Sequence, residues 1–297
     1  MKNIQAHLAG IVLVCIWSGW IVVSRLGVQN TLEPADITLL RYCTACLATA
    51  PLILRYDWRK FKLLHSLAVG LGVGFPYTLL SFYGLRAIKA AHAGVLVNGM
   101  LPVLGLIVAW LLFNQRITPL RYAAIALIFL SNLIMAGSDL FSMSHLRGIL
   151  LLLAAAGVYM MHMTGIRQWR FDWRDVLVTV PVVNVILFIP LWFLFPSALF
   201  KAPMGEIVLQ SVYQGIVVNI AALMCVAYTI RKLGLITASL YMSFVPVVTA
   251  LFAWIFLGEH LILREILGIA GCSAGLLLYT RGQTSLHPAP FPENQDT

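Results

Sequence analysis

The feature that most constrains this chain is a succession of apolar stretches, each about as long as a bilayer is thick, with every acidic residue kept out of their middles. A hydrocarbon core needs roughly 20 apolar residues of helix to cross it. Such stretches lie at Leu8–Val23, Ile37–Leu54, His65–Leu85, Ala91–Phe113, Leu120–Gly137, Gly148–Ile166, Val176–Phe195, Ile207–Ile230, Ile236–Leu257 and Ile266–Thr280. Of the 297 residues, 61% are hydrophobic and only 10% charged, against about 25% charged in a soluble domain. So few charges could not cover a water-facing exterior, which excludes a soluble enzyme, a disordered chain and a disulfide-rich secreted scaffold. The five cysteines, including Cys43-x-x-Cys46, fall in apolar stretches and read as small packing residues. The expected fold is an all-α integral membrane protein with ten transmembrane helices.

The first stretch is read as the first span and not as a cleaved signal, because it carries Trp17 and Trp20 and no small-x-small site follows it. Orientation follows from the basic residues. With the N-terminus inside, seven of the 20 Lys and Arg fall outside: Arg25, Arg41, Arg86, Lys89, Arg147, Lys201 and Arg264. The remaining thirteen fall inside, so both termini are expected in the cytoplasm. The net charge of +9 is then mostly topological, and no nucleic-acid partner is expected.

The two halves resemble each other at an offset of about 140 residues. Gly10-Ile11 matches Gly148-Ile149, Gly19 matches Gly157, Pro51-Leu52 matches Pro190-Leu191, and Gly70 matches Gly215. Tyr83-Gly84-Leu85-Arg86 matches Tyr228-Thr229-Ile230-Arg231, Pro102 matches Pro246, and Ala109-Trp110 matches Ala253-Trp254. Shared Pro, Trp and Arg in register outweigh chance likeness between apolar segments. Five helices per unit is an odd number, so the second copy inserts inverted, an architecture of transporters with a site between the halves near midplane. The units are 1–137 and 138–280. The polar stretch 281–297, with Pro288, Pro290 and Pro292, reads as a disordered cytoplasmic tail.

Two five-helix repeats, Trp17-Ser18-Gly19 in the first helix and Leu39-Leu40-Arg41-Tyr42 in the second resemble the drug/metabolite transporter superfamily. The Tyr83 to Ala93 connection, Pro102 and Leu257-Gly258-Glu259 share in that resemblance, which is nearest to the ten-helix EamA-type exporters. It implies a multi-pass protein of the cytoplasmic (inner) membrane, and a cavity walled by helices one, three, four, six, eight and nine. The chain departs from the family pattern where helix four ends in Asn114-Gln115-Arg116 instead of Gly-Glu.

No acid lies mid-span, which argues against a carboxylate proton relay and against an anionic site for cationic drugs. Arg41 has three placements open to it: snorkelling to the outer interface, pairing with Asp36, or facing the cavity as partner of a substrate carboxylate. Glu259 either caps the ninth helix near Arg264 or serves transport. His92 and His162 are the histidines placed to titrate in or close to spans, and His162 shares a helix face with Tyr159. The expected substrate-binding set is Trp17, Trp20, Tyr77, Tyr83, Asn98, Tyr159, His162, Tyr213, Asn219 and Tyr241. The amides are singled out because they donate to a carboxylate and accept from an ammonium, and the aromatics because they give an apolar, π-faced wall. Ser18, Ser81, Asn184 and Ser243 complete the mid-span polar residues. Pro102 and Pro246, repeat-related, are expected hinges. Gly70-x-x-x-Gly74 and Gly271-x-x-x-Gly275 fit close helix packing, the second within a monomer or across a homodimer. No cofactor, metal or catalytic cluster is expected. The function expected is secondary transport, chiefly export, of neutral or zwitterionic small metabolites such as aromatic amino acids, either proton-coupled through a histidine or facilitative. The alternatives are a hydrophobic drug exporter, an intramembrane lipid-modifying enzyme, and a membrane scaffold.

Overall fold

The computed structural model describes residues 4–60, 62–113, 118–136, 142–242 and 244–281, and among these every regular element is helical. The tail beyond Arg281, the Asn114-Gln115-Arg116 departure and Ser243 lie outside the described residues. The helices are α1 (Ile4–Gln29), α2 (Pro34–Ala48), α3 (Ala50–Leu54), α4 (Leu63–Gly72), α5 (Phe75–Ala87), α6 (Ala90–Phe113) and α7 (Pro119–Ala136). There follow α8 (Met143–Gln168), α9 (Trp173–Trp192), α10 (Met204–Gln210), a π-helical segment (Ser211–Ala222), α11 (Leu223–Met242), α12 (Val245–Leu257) and α13 (Leu263–Arg281). Five stretches are long and apolar enough to cross a membrane: Ile4–Gln29, Leu63–Ala87, Met143–Ile166, Trp173–Trp192 and Met204–Val226. The bundle turns apolar side chains outward, as lipid contact requires. Examples are Leu8, Ile11 and Val12 on α1, Phe129, Leu130 and Leu133 on α7, and Leu251, Trp254 and Phe256 on α12.

Two expected boundaries differ. The third stretch is broken at Val73-Gly74, because Pro76 in the first turn of α5 offers no N–H and disfavours helix just before it. The freed groups are satisfied from elsewhere: Asn184 Oδ1 accepts from Phe75 N–H (2.7 Å), Asn184 Nδ2 donates to Gly70 O (2.9 Å), and Tyr42 O–H donates to Val73 O (2.6 Å). Second, no interruption falls between Ile230 and Ile236. Helix continues to Met242, and α12 begins at Val245 with Pro246 in its first turn. A lone Gly234 does not stop a helix, whereas a proline sets the start of the next. Pro246 therefore begins a helix and does not bend one; Pro102 lies within α6.

The helix neighbours exchange between the halves. α1 packs on α11 and α12, while α8 packs on α4, α5 and α6; α2 lies on the π-helical segment and α9 lies on α4. Gly70 sits against Val183, and Gly215, which the sequence comparison pairs with it, sits against Thr44. The glycines of α13 face α7 within the same chain: Gly268 meets Met135, Gly271 meets Ser131 and Gly275 meets Ile128. This pair of helices carries a small core of its own around Ile128, Met135, Ile269 and Cys272.

One end of the bundle is stitched by acids. Glu259 pairs with Arg25 (3.3 Å) and accepts from Ala90 N–H (2.9 Å), while Arg25 also donates to Leu85 O. Glu265 pairs with Lys89 and His92, both at 3.0 Å. Glu206 accepts from Leu32 N–H (3.0 Å), and Asp36 accepts from Trp192 Nε1, Ser197 Oγ and Ala198 N–H. Each of these acids links the first half to the second.

Candidate functional site

Four rings from three helices close into a box between the halves. Trp17 and Trp20, three apart and hence on one face of α1, meet edge to face at 6.0 Å. Trp20 stacks on Tyr77 of α5 (5.8 Å, 17°), Tyr77 lies 5.3 Å from Tyr159 of α8, and Tyr159 returns edge-on to Trp17 at 6.5 Å. Trp20 and Tyr77 are each 2% exposed. The Nε1 of Trp17 is buried without a hydrogen-bond partner.

Arg41 stands beside this box, 3% exposed, and within electrostatic reach of the phenols of Tyr77 and Tyr159. It pairs with no acid among the described residues, since Asp36 is taken up at the acidic end. Its Nη1 donates to Gln214 Oε1 (2.9 Å) and its Nη2 to Asn219 Oδ1 (3.5 Å), while Nε is buried with no partner. The guanidinium also lies 5.6 Å from the centre of the Tyr42 ring. It stays charged in proteins, and a buried charge held by neutral amides and a ring face retains several kcal/mol of desolvation cost, to order of magnitude. Of the three placements open to Arg41, the structure takes the one facing the interior.

Gln214 is the joint of the site. Its Oε1 also accepts from Trp20 Nε1–H (3.0 Å), and its Nε2 donates to Ser24 Oγ (3.0 Å) and Gln210 Oε1 (3.2 Å). Asn219 Nδ2 donates to the Gln214 carbonyl (2.6 Å). The five-residue reach from 219 to 214 suits a π-helix, whose wider turn separates backbone groups that an α-helix would pair. Gly215 lets this segment approach α2: a Cβ there would lie 2.5 Å from Thr44 Cβ and 3.1 Å from the Arg41 carbonyl.

The structure thus brings Trp17, Trp20, Tyr77, Tyr159, Arg41 and Asn219 together. His162 adjoins them, its ring 5.7 Å from Tyr159 and its Nδ1 on the Val69 carbonyl at 2.7 Å. The others lie apart. Tyr213 donates behind α1 to Ile16 O (3.1 Å), and Tyr83 lies under the Arg86 guanidinium. Asn98 donates to Gly94 O of its own helix (3.0 Å). Tyr241 hydrogen-bonds His7 (2.7 Å) near the start of α1. Glu259 serves Arg25 and Ala90. Gln214 went unselected in the sequence although a signal was present: Gln210 and Gln214 place two amides four residues apart in an otherwise apolar stretch. Among the described residues no cluster of three metal-ligating side chains occurs.

The comparisons agree with this architecture. A solved structure described as "Crystal structure of protein" superposes with a TM-score of 0.62 at 18% identity, covering 92% of this chain and 96% of its own. At that identity the likeness speaks for the fold alone. No curated protein matches the chain. The model of the EamA-like transporter family matches twice, over residues 4–137 and 146–281. Together the two matches take in nearly the whole chain, which belongs to the EamA-like transporter family, a family of membrane transporters and not of enzymes.

Proposed function

We propose that the chain is a secondary transporter that exports small zwitterionic metabolites with an apolar body, aromatic amino acids first among them. It works by alternating access between two inverted five-helix repeats, ten spans in all, in the cytoplasmic membrane with both termini inside. The observation that carries this reading is Arg41: a buried cation between the halves, on neutral partners with a donor to spare, against a four-ring wall. A carboxylate is the ligand that such a guanidinium binds best, through parallel charge-assisted hydrogen bonds, and the rings suit a flat apolar body. The same charge disfavours cationic drugs. The repeat reading is supported by the exchanged helix neighbours and by the paired contacts Gly70–Val183 and Gly215–Thr44. The monomer is favoured because the glycine face of α13 is already covered by α7.

The test is uptake of a radiolabelled amino-acid panel into proteoliposomes, with and without a pH gradient, for the wild type and Arg41→Gln. Saturable uptake of aromatic amino acids, lost in Arg41→Gln at equal reconstitution, is the expected result. A dependence on the gradient then identifies proton coupling, and its lack a facilitator. Absence of saturable flux for every amino acid overturns the substrate class, and full activity of Arg41→Gln overturns the site.

A further inference from the structure

The two amides that hold Arg41 have their oxygens toward it. Gln214 Oε1 and Asn219 Oδ1 both accept from the guanidinium. Both come from the second half of the chain, whereas Arg41 comes from the first. The site is therefore already a pair of complementary surfaces: a donor fork on one half and a set of oxygen acceptors on the other. Building on the proposed function, we infer that a zwitterion inserts between them, its carboxylate on Arg41 and its ammonium on the oxygens of Gln214 and Asn219. These two amides are then the residues that require the amine.

When a carboxylate takes the Nη donors of Arg41, Gln214 Oε1 keeps the Trp20 Nε1–H (3.0 Å) but loses its charged donor. Asn219 Oδ1 loses the donor that the structure gives it. Neither amide can simply turn over, because Gln214 Nε2 is held by Ser24 Oγ and Gln210 Oε1, and Asn219 Nδ2 by the Gln214 carbonyl. A ligand with a carboxylate alone leaves Asn219 Oδ1 unmet and Gln214 Oε1 short of a donor in a buried site, which is the costly arrangement. A ligand that carries an ammonium beside its carboxylate supplies the missing donors, since an ammonium is donor only. A ligand with an amine alone would meet the two oxygens only by placing its charge against that of Arg41. The body of the ligand continues toward the rings, because Trp20 both bounds the box and donates to Gln214. Trp17 Nε1–H and Arg41 Nε–H are both buried without a partner and are the donors proposed for the second carboxylate oxygen.

The measurement is ligand-induced thermal stabilisation of the detergent-solubilised full chain, titrated with phenylalanine, 3-phenylpropanoate and phenethylamine. These share the ring and differ only in the presence of amine and carboxylate. The expected result is that phenylalanine binds about tenfold or more tightly than either analogue, the size of a hydrogen bond to a charged group. Gln214→Leu and Asn219→Leu should abolish the preference, bringing phenylalanine and 3-phenylpropanoate to one affinity, because the acceptors that require the amine are gone. Asn219→Asp, of nearly the same size, puts a carboxylate against Arg41 and gives up the bond to the Gln214 carbonyl. It should weaken both carboxylate ligands and strengthen phenethylamine. Equal binding of phenylalanine and 3-phenylpropanoate to the wild type overturns the inference while leaving the carboxylate site standing. So does an equal loss of both in the leucine variants. Binding of none of the three overturns the substrate reading itself, and this inference with it.

Discussion

Asn184 shows how a single side chain sustains an irregularity that the rest of the molecule uses. In a membrane interior an open backbone group finds no water, so a broken helix persists only where protein groups replace the lost bonds. Asn184 does this on both sides of the break, accepting from Phe75 N–H and donating to Gly70 O, and so holds Tyr77 where it can stack on Trp20. Gly74 is the matching requirement, since a Cβ there would lie 2.1 Å from Asn184 Oδ1 and 2.5 Å from the Gly70 carbonyl. Asn184→Ala leaves two buried backbone groups unsatisfied, at about 1–3 kcal/mol each. Gly74→Ala displaces the same amide. Each variant should melt below the wild type in detergent, and the double variant should melt no lower than the sum of overlapping losses requires. Strict additivity of the two shifts would show that Asn184 and Gly74 do not act through one set of bonds.

At the level of elements, hydropathy read the lengths of most helices well and their interruptions poorly. Apolar runs report burial in lipid and protein alike, so the stretches from Gly148 and from Val176 emerge as α8 and α9. What a run cannot report is a break whose bonds are supplied from 110 residues away, as at Val73-Gly74, or a change of helical pitch, as at Ser211–Ala222. The site was legible in the same measure. Trp17, Trp20, Tyr77 and Tyr159 stand out as amphipathic residues amid apolar neighbours, and the four rings do converge. Tyr213 stands out in the sequence as a mid-span aromatic, yet it is the neighbouring Gln214 that reaches Arg41 and Trp20. Small residues on α13 were read correctly as a packing stripe. Gly268 is the position that tolerates least, since a Cβ there would lie 2.6 Å from Met135 Cβ and 2.8 Å from the Ser131 carbonyl. Neither atom is the end of a flexible side chain. Gly268→Leu should therefore lower stability by about 1–3 kcal/mol, the usual cost of overpacking, read as a fall in melting temperature. Its elution volume in size-exclusion chromatography should match the wild type. A changed oligomeric state with unchanged melting would move this face from the interior of one chain to a contact between two.

Across the whole molecule the two ends are closed by different chemistry, and the proposed alternating access has them open in turn. The acidic end is latched by carboxylates that each cross between the halves: Glu259 on Arg25 and Ala90, Glu265 on Lys89 and His92, and Glu206 on Leu32. The opposite end is held by Tyr56 on Asp175 (2.7 Å) and by the His65–Trp169 stack (4.3 Å). Burial alone would raise the Glu265 carboxyl, but the Ile262 N–H, Lys89 and His92 hold it below the ordinary carboxylate range. Its contribution to closure is thus complete above that ordinary range and is lost as pH falls through the lowered value. Glu259 offers the cleaner test, since Glu259→Gln keeps the shape and removes the charge facing Arg25. In a cysteine-free background, spin labels at Asn30→Cys and His260→Cys report the acidic end, and labels at Lys62→Cys and Gln168→Cys report the other; all four residues are exposed. Adding Glu259→Gln should shift the first pair toward longer distances, because Arg25 loses its ion pair and the Ala90 N–H a charged acceptor. The second pair should keep its distances or shorten, as one end closes when the other opens. An unchanged distribution for the first pair would remove Glu259 from the latch, and lengthening of both pairs would mean that the charge holds the bundle together and not its gate.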